Sequence, residues 1–187
     1  DGSDGVEGVD NSTDAEVERA DFAVDVPPPY ICVDTDEIFE QMKAEFAASS
    51  LIGVDTETDG LDPMQCNLVG LCLAAADNDG KVNKGYYIPL GHSDEIGFPL
   101  PTGPKGNYDL NKVKEWFCEF FADTTPAAGA NIPREFVFHN AKFDLHVLAR
   151  AFKIPQSVID NANLIDTLIA AWMLSPGQSG LGLDNQV

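Results

Sequence analysis

Apolar and polar residues follow two different periods along the chain, and the changes between them predict the order of strands and helices. Short apolar runs bounded by Gly, Pro, Asn or Asp predict strands, and apolar residues three to four positions apart predict amphipathic helices. The predicted strands are Tyr30–Val33, Leu51–Asp55, Leu68–Ala75, Gly85–Leu90 and Glu135–His139. The predicted helices are Asp36–Ala48, Asp109 to about Ala122, Ala141–Phe152 and Asn163–Leu174.

The helical periods also predict which side chains form the core. The stripe of the first helix consists of Ile38, Phe39, Met42 and Phe46, and that of the second of Leu110, Val113, Phe117 and Phe120 or Phe121. Asp109 and Asn140 stand where helix N-caps are favoured. The element order predicts a mixed α/β sheet in which the first three strands after the leading one, between Leu51 and Leu90, are antiparallel and the sheet is flanked by helices.

Residues 1–29 differ from the rest of the chain. They hold nine acidic residues against the single Arg19, have few large apolar groups and end in three consecutive prolines. This composition predicts a disordered acidic linker, followed by one domain over residues 30–187. No apolar run approaches the ~20 residues of a membrane span, and no signal peptide is predicted.

The net charge of −20 limits the ways in which this chain could bind a nucleic acid. Residues 1–29 account for −8, so the predicted domain carries −12. This balance argues against binding through a broad basic surface, because that mode requires Lys and Arg along the phosphates. The four cysteines show no zinc-binding spacing and are interpreted as reduced thiols in the core or near the surface.

Two stretches carry candidate chemistry. The sequence LIGVDTETDG, residues 51–60, places Asp55 and Glu57 two residues apart in a strand, so both side chains project from one face. Two adjacent carboxylates repel each other, and a hard divalent cation such as Mg²⁺ or Mn²⁺ would relieve that repulsion. The alternative is an acidic strand end that enters the turn at residues 58–63.

The second stretch is FVFHNAKFDLHVL, residues 136–148, a strand that leads into a helix. Asp144 falls in the first turns of that helix, where the helix dipole helps to keep a carboxylate ionised. The alternative is a capping acid on an amphipathic helix.

Taken together, the two stretches resemble the first two exonuclease motifs of the 3′–5′ proofreading domain of family A DNA polymerases, the DNA polymerase I group. The matching residues are Asp55, Thr56, Glu57 and Thr58 with Gly60-Leu61-Asp62, and later Asn140, Lys142, Phe143 and Asp144. NLVGLCLA (67–74), YYIPLGH (86–92), IDTLIAAWML (165–174) and LGLDN (181–185) resemble further elements of that domain. The resemblance covers about residues 30–187.

The resemblance implies an RNase H-like DEDD exonuclease fold and hydrolysis of DNA 3′ ends with two divalent cations, Mg²⁺ or Mn²⁺. It implies that Asp55 and Glu57 bind one ion, that Asp55 bridges to a second, and that Asp144 supports the second through water. Leu61 would wedge against the terminal base, and Asn140 and Phe143 would line the path of the 3′ nucleotides, with His139 nearby. The structural alternatives are a turn leucine, a helix cap and core packing. Asp166, which begins a helix, is interpreted as structural.

The family pattern breaks at its fourth carboxylate, which belongs to a later Tyr-x-x-x-Asp motif. No tyrosine follows Tyr108 in this sequence, and Tyr30 to Asp34 precedes the first motif. We therefore expect a C-terminally incomplete exonuclease domain with weak or absent activity on its own.

The implied partners are a single-stranded or frayed DNA 3′ end and a polymerase domain in the same or a partner chain, with no membrane. The implied location is the cytoplasm of a bacterial or phage-infected cell, with an organelle left open. Two other functions stay open at this point: an RNA 3′ exonuclease similar to ribonuclease D, and an exonuclease-like domain without catalysis that serves as a scaffold.

Overall fold

The computed structural model describes residues 30–77, 79–104, 106–127, 133–177 and 180–183, so the predicted linker over residues 1–29 lies outside the described residues. The elements in chain order are β1 (Tyr30–Cys32), α1 (Asp36–Ala47), β2 (Leu51–Thr58), β3 (Leu68–Ala76), β4 (Val82–Pro89), α2 (Leu110–Ala122), β5 (Glu135–Phe138), α3 (Ala141–Phe152), α4 (Gln156–Asn161), β6 (Asn163–Asp166) and α5 (Thr167–Leu174).

The strands form a six-stranded sheet in the order β1-β4-β3-β2-β5-β6. The antiparallel pairing of β2 with β3 and of β3 with β4 confirms the predicted antiparallel core. The three outer pairings are parallel, β1 with β4, β5 with β2 and β6 with β5. The result is a mixed sheet with its antiparallel strands at the centre.

One face of the sheet is buried under helices. Alternate residues of the central strands, such as Ile52, Val54, Leu71 and Leu73, are almost fully buried in one continuous core. The aromatic residues of α1 and α2 complete this core, and Phe46, Phe117 and Phe121 are buried to within 1%. Burial of these alternating positions is what fixes the register of β2 against β3, because a slip of one residue would turn every apolar side chain outwards.

The opposite face carries smaller side chains and is open. Within the described residues, a groove of about 550 Å³ runs across it, lined in part by Gly53, Asp55, Cys72, Tyr87 and His139. Because Gly53 and its neighbour Ala74 add little side-chain bulk, the groove reaches down to the backbone of the strands. The acidic end of β2 therefore opens into a concave surface.

The structure corrects two of the sequence-based assignments of secondary structure. Residues 163–174 were predicted as one helix, but Asn163–Asp166 is strand β6 and the helix begins at Thr167. Strand β6 follows the short helix α4, which the sequence pattern did not reveal. Leu110, predicted to face the core, is 41% exposed, because the first residue of α2 points away from the sheet.

The predicted capping of α3 by Asn140 is also wrong. Asn140 adopts a left-handed conformation with φ 74°, and its side chain makes no capping hydrogen bond. Instead the carboxylate of Asp166 accepts hydrogen bonds from the backbone N–H groups of Asn140 at 3.1 Å and Ala141 at 2.9 Å. The same carboxylate caps α5 through Leu168 N at 2.9 Å, so the structural role expected for Asp166 is confirmed.

None of the helices in the described part of the chain is long and apolar enough to cross a membrane.

Candidate metal centre and active site

Strand β2 brings Asp55 and Glu57 together at the edge of the open groove. Val54 and Thr56 on the buried face are nearly inaccessible, and the two acids on the other face are exposed, as the period of two requires. Ligand atoms of Asp55, Glu57 and Cys72 all lie within 4.8 Å of one another. This spacing suits a shared cation, since two ligands at ~2.1 Å from one Mg²⁺ are at most ~4.2 Å apart.

The electrostatics of this cluster favour a bound cation. Partial burial, and then the neighbouring charge of Glu57, raise the pKa of Asp55, while His139 lowers it. Burial and the charges of Asp55, Glu57 and Asp144 raise the pKa of the Cys72 thiol to about 12, so this thiol stays protonated at neutral pH. Hard divalent cations prefer oxygen, and the two carboxylates are therefore the suitable ligands of the three.

Asp144 reaches the site from α3 and is held by the strand that carries the other two acids. The backbone N–H of Thr56 donates to Asp144 Oδ1 at 3.0 Å, and the Thr56 hydroxyl donates to the same oxygen at 2.6 Å. Beyond Gly53, β2 has no further residue paired with β5. The carboxylate of Asp144 therefore satisfies a backbone donor that the sheet leaves unpaired.

Asp144 itself is 97% buried, as its relative exposure is 3%. Burial raises its pKa to about 6, and the charge of Asp55 adds to this effect, whereas the hydrogen bonds from Thr56 oppose it. The pKa of Asp144 is thus shifted upwards, whereas the helix dipole alone would shift it downwards, because desolvation of the buried carboxylate outweighs the dipole. The structure places Asp144 beside the acidic pair without including it in the three-residue cluster.

His139 lines the groove close to Asp55, with one ring nitrogen held in place. Its Nδ1 lies 2.9 Å from Thr167 Oγ1, and that hydroxyl donates its proton to the carbonyl of Phe138 at 3.1 Å. Nδ1 must then carry the proton of the first hydrogen bond. His139 Nε2 is buried and has no hydrogen-bond partner among the described residues, which leaves it available to a ligand in the groove.

The other predicted substrate-binding residues differ in how accessible they are. Leu61 stands on the loop after β2 and is 94% exposed, so its side chain is free to contact a ligand. Asn140 is exposed at the start of α3. Phe143 is half-buried and packs against the hydrophobic core, which leaves one part of its ring accessible.

Two residues of the groove were missed by the sequence reasoning. Cys72 pairs with Asp55 across β2 and β3, and Tyr87 pairs with Cys72 across β3 and β4, so the three side chains stand in one row on the open face. The Tyr87 hydroxyl lies 2.5 Å from His92 Nε2, and the Tyr87 ring occupies the space above Gly70. The strand alternation placed both residues on one face, but only the register reveals which side chains are neighbours.

The arrangement brings two exposed carboxylates and an unpartnered imidazole nitrogen to the groove and its edge, with one buried carboxylate behind them. Such a set can hold hard cations, and it offers a concave surface along which an extended ligand can approach them.

Comparison with known proteins agrees with this geometry. Residues 128–186 match a family model described as 3′–5′ exonuclease. DNA polymerase I of Rhizobium leguminosarum is 28% identical over 189 residues, which cover 96% of this chain and 17% of that protein. DNA polymerase I of Synechocystis sp. is 30% identical over 142 residues, covering 76% of this chain and 12% of that protein. The chain thus spans less than a fifth of the length of these two relatives.

A solved structure supports the fold. Pop2p of S. pombe, determined with Mg²⁺ and Mn²⁺ bound, superposes with a TM-score of 0.61 at 11% identity, covering 84% of this chain and 80% of that one. The predicted RNase H-like exonuclease fold is therefore confirmed. With the sequence matches, this identifies the chain as a relative of the 3′–5′ exonuclease domains of DNA polymerase I.

Proposed function

We propose that this chain is a divalent-cation-dependent 3′–5′ exonuclease that removes nucleotides from single-stranded or frayed DNA 3′ ends. The observation that carries the proposal is the pair Asp55 and Glu57, which stand side by side at the edge of an open groove with Asp144 anchored behind them on Thr56. The similarity of the chain to the exonuclease domains of DNA polymerase I supports the choice of DNA as substrate.

Asp55 and Glu57 would hold one cation, Asp55 would also contact a second, and Asp144 would support the second through water. Mg²⁺ or Mn²⁺ fits these ligands, because all three are carboxylates and the ordinary repulsion between Asp55 and Glu57 is relieved by positive charge. Bound divalent cations supply Lewis acidity that activates water and offsets charge on a phosphodiester. The cations also account for how a domain with this net charge approaches a polyanion.

Four residues in and around the groove would share the binding of the 3′ end. We propose that Leu61 contacts the terminal base, that Asn140 and Phe143 flank the path of the last nucleotides, and that His139 Nε2 forms a hydrogen bond with the substrate. The last assignment follows from the cost of a buried nitrogen without a partner, which a bound ligand would remove.

The polymerase partner is a proposal that rests on the relatives. Both relatives described above are named DNA polymerase I and are much longer than this chain. We propose that the domain works beside a polymerase domain, in the same or a partner chain, and removes nucleotides from frayed primer ends.

The test combines hydrolysis with a direct measurement of metal binding. The purified 187-residue chain is incubated with Mn²⁺ and a 5′-labelled DNA that ends in a 3′ mismatch, beside an RNA of the same sequence. Mn²⁺ binding is measured by calorimetry on the same protein. The variants are Asp55→Asn and Asp144→Ala, and the matched control is Asp79→Asn, which removes an exposed acid from the β3–β4 turn.

We expect Mn²⁺ binding that is lost in Asp55→Asn and kept in Asp79→Asn, and a weak ladder that shortens from the DNA 3′ end and disappears in Asp144→Ala. The ladder should be weak because the fourth carboxylate of the family pattern was not found in this sequence. Faster shortening of the RNA would overturn the choice of DNA. The absence of both Mn²⁺ binding and a ladder would overturn the enzymatic proposal in favour of a scaffold.

A further inference from the structure

The loop that carries Leu61, residues 59–67, is closed at its base. The backbone N–H of Asn67 donates to Asp59 Oδ1 at 2.6 Å, and its side-chain amide donates to Asp59 Oδ2 at 2.8 Å. The turn of the loop is held by Asp62, whose carbonyl accepts hydrogen bonds from Gln65 N at 2.9 Å and Cys66 N at 2.8 Å. The tip nevertheless exposes two apolar residues, Leu61 at 94% and Met64 at 61%.

Arg150 ties this loop to helix α3. One guanidinium nitrogen donates to the carbonyl of Pro63 at 2.7 Å, and the other terminal nitrogen donates to the carbonyl of Cys66. The hydrogen bonds from Asn67 lower the pKa of Asp59 at the base of the loop, and the positive charge of Arg150 adds a smaller effect in the same direction. A planar fork that binds two carbonyl groups restricts both the position and the orientation of the turn, which a single flexible ammonium group could not do.

The same helix carries Asp144. Asp144 and Arg150 are six residues apart, which is about 9 Å along the axis of α3. Helix α3 is therefore attached to β2 through the Asp144–Thr56 hydrogen bonds and to the following loop through Arg150. These two attachments define where the exposed Leu61 stands relative to Asp55 and Glu57.

We infer that Arg150 is a positioning residue, which holds loop 59–67 so that Leu61 meets the terminal base when the 3′ end reaches the carboxylates. The expected effect of Arg150 on hydrolysis rests on the proposed function, whereas its effect on the position of the loop does not. This positioning gives Arg150 a role in binding the 3′ end and none in the chemical step. Loss of Arg150 should therefore raise KM and leave kcat nearly unchanged.

The first measurement is hydrogen–deuterium exchange of the metal-free chain, which needs no activity. In Arg150→Gln, amides of the peptide 61–67 should exchange about tenfold faster, because opening of the loop no longer breaks two hydrogen bonds to a charged donor. Amides in Leu51–Thr58 should keep their protection. The matched control is Lys153→Gln, which removes one positive charge from the C-cap of the same helix.

The second measurement is steady-state hydrolysis of a single-stranded DNA 3′ end by a set of variants. Arg150→Gln should raise KM about fivefold, Arg150→Lys should recover part of the loss, and Lys153→Gln should change KM by less than about twofold. In a Leu61→Ala background, Arg150→Gln should have little further effect, because the side chain that it positions is gone.

The outcomes separate this inference from the proposed function. Unchanged exchange in residues 61–67 of Arg150→Gln would overturn the positioning role, as would an equal rise in KM with and without Leu61. Faster exchange in the variant, together with neither Mn²⁺ binding nor hydrolysis by the wild-type chain, would keep the structural tie and overturn the exonuclease activity on which the effect on KM depends.

Discussion

The hydrogen bond between Thr56 and Asp144 provides the sharpest test of how the site is assembled. Thr56→Val keeps the shape of a buried side chain and removes the hydroxyl that donates to Asp144 Oδ1 at 2.6 Å. The acceptor is almost fully buried, so no bulk water is at hand to replace the donor. A hydrogen bond to a charged group contributes about 1.5–3 kcal/mol to stability, and a neutral one about 0.5–1.5 kcal/mol.

The cost of Thr56→Val should therefore depend on pH. At pH 7.5 Asp144, with its pKa of about 6, is ionised, and we expect a loss of about 2 kcal/mol in the free energy of unfolding. For a chain of this size that corresponds to a fall of about 4–8 °C in Tm. At pH 5 Asp144 is protonated, and the loss should shrink to about 1 kcal/mol.

The assay is urea unfolding at pH 7.5 and pH 5 in the presence of a chelator. Thr58→Val is the matched control, because its hydroxyl donates to the neutral carbonyl of Gly60 at 2.8 Å and its cost should not vary with pH. Thr56→Ser should recover most of the stability. An equal cost of Thr56→Val at both pH values would refute the claim that an ionised Asp144 is held by this hydroxyl.

Three further predictions concern the acids and their surroundings. Without metal, the free energy of unfolding should fall by up to ~3 kcal/mol as pH rises from 4 to 7, because the pKa of Asp144 is about 6 in the folded state, above its ordinary value of 3.8. The stabilising contribution of protonated Asp144 is full below pH 3.8 and is lost above about pH 6. It should be absent from urea titrations of Asp144→Asn. Asp166→Ala should cost ~2 kcal/mol in urea unfolding, about twice the cost of Asp109→Ala, because Asp166 caps two helices and Asp109 caps one; equal costs would contradict this. Mn²⁺ at a hundredfold excess over its Kd should stabilise the wild type by about 2.7 kcal/mol in thermal unfolding, and the same shift in Glu57→Gln would count against the proposed ligands.

The features that local sequence patterns predicted correctly are those fixed by local geometry. A period of two places Asp55 and Glu57 on one face of β2 wherever that strand lies, and burial of Val54 and Thr56 on the other face confirms it. The stripe of α1 was predicted for the same reason, since Phe39, Met42 and Phe46 repeat at helical spacing and are buried.

The features that were missed depend on residues distant in sequence. Strand β6 has four residues and pairs with β5 from Glu135 with Asn163 to Phe138 with Asp166, and such a short strand shows no clear alternation of its own. The cap of α3 comes from Asp166, which lies 26 residues after Asn140. The N-cap preference considers only the residue immediately before the helix, so it could not identify Asp166. Cys72 joins the acids through cross-strand register, which no spacing along the chain encodes.

The three acids are held by different elements, so the site can lose one of them and keep the others. Asp55 and Glu57 share one strand, so their mutual distance is set by backbone geometry and survives small movements of the helices. Asp144 depends on the docking of α3, which Thr56 fixes from the strand and Asp166 fixes at the first turn. Substitutions that loosen α3 should therefore separate Asp144 from an intact acidic pair. Asp166→Ala should keep the Mn²⁺ site formed by Asp55 and Glu57 and weaken hydrolysis more than binding, because it disturbs the carboxylate that supports the second cation.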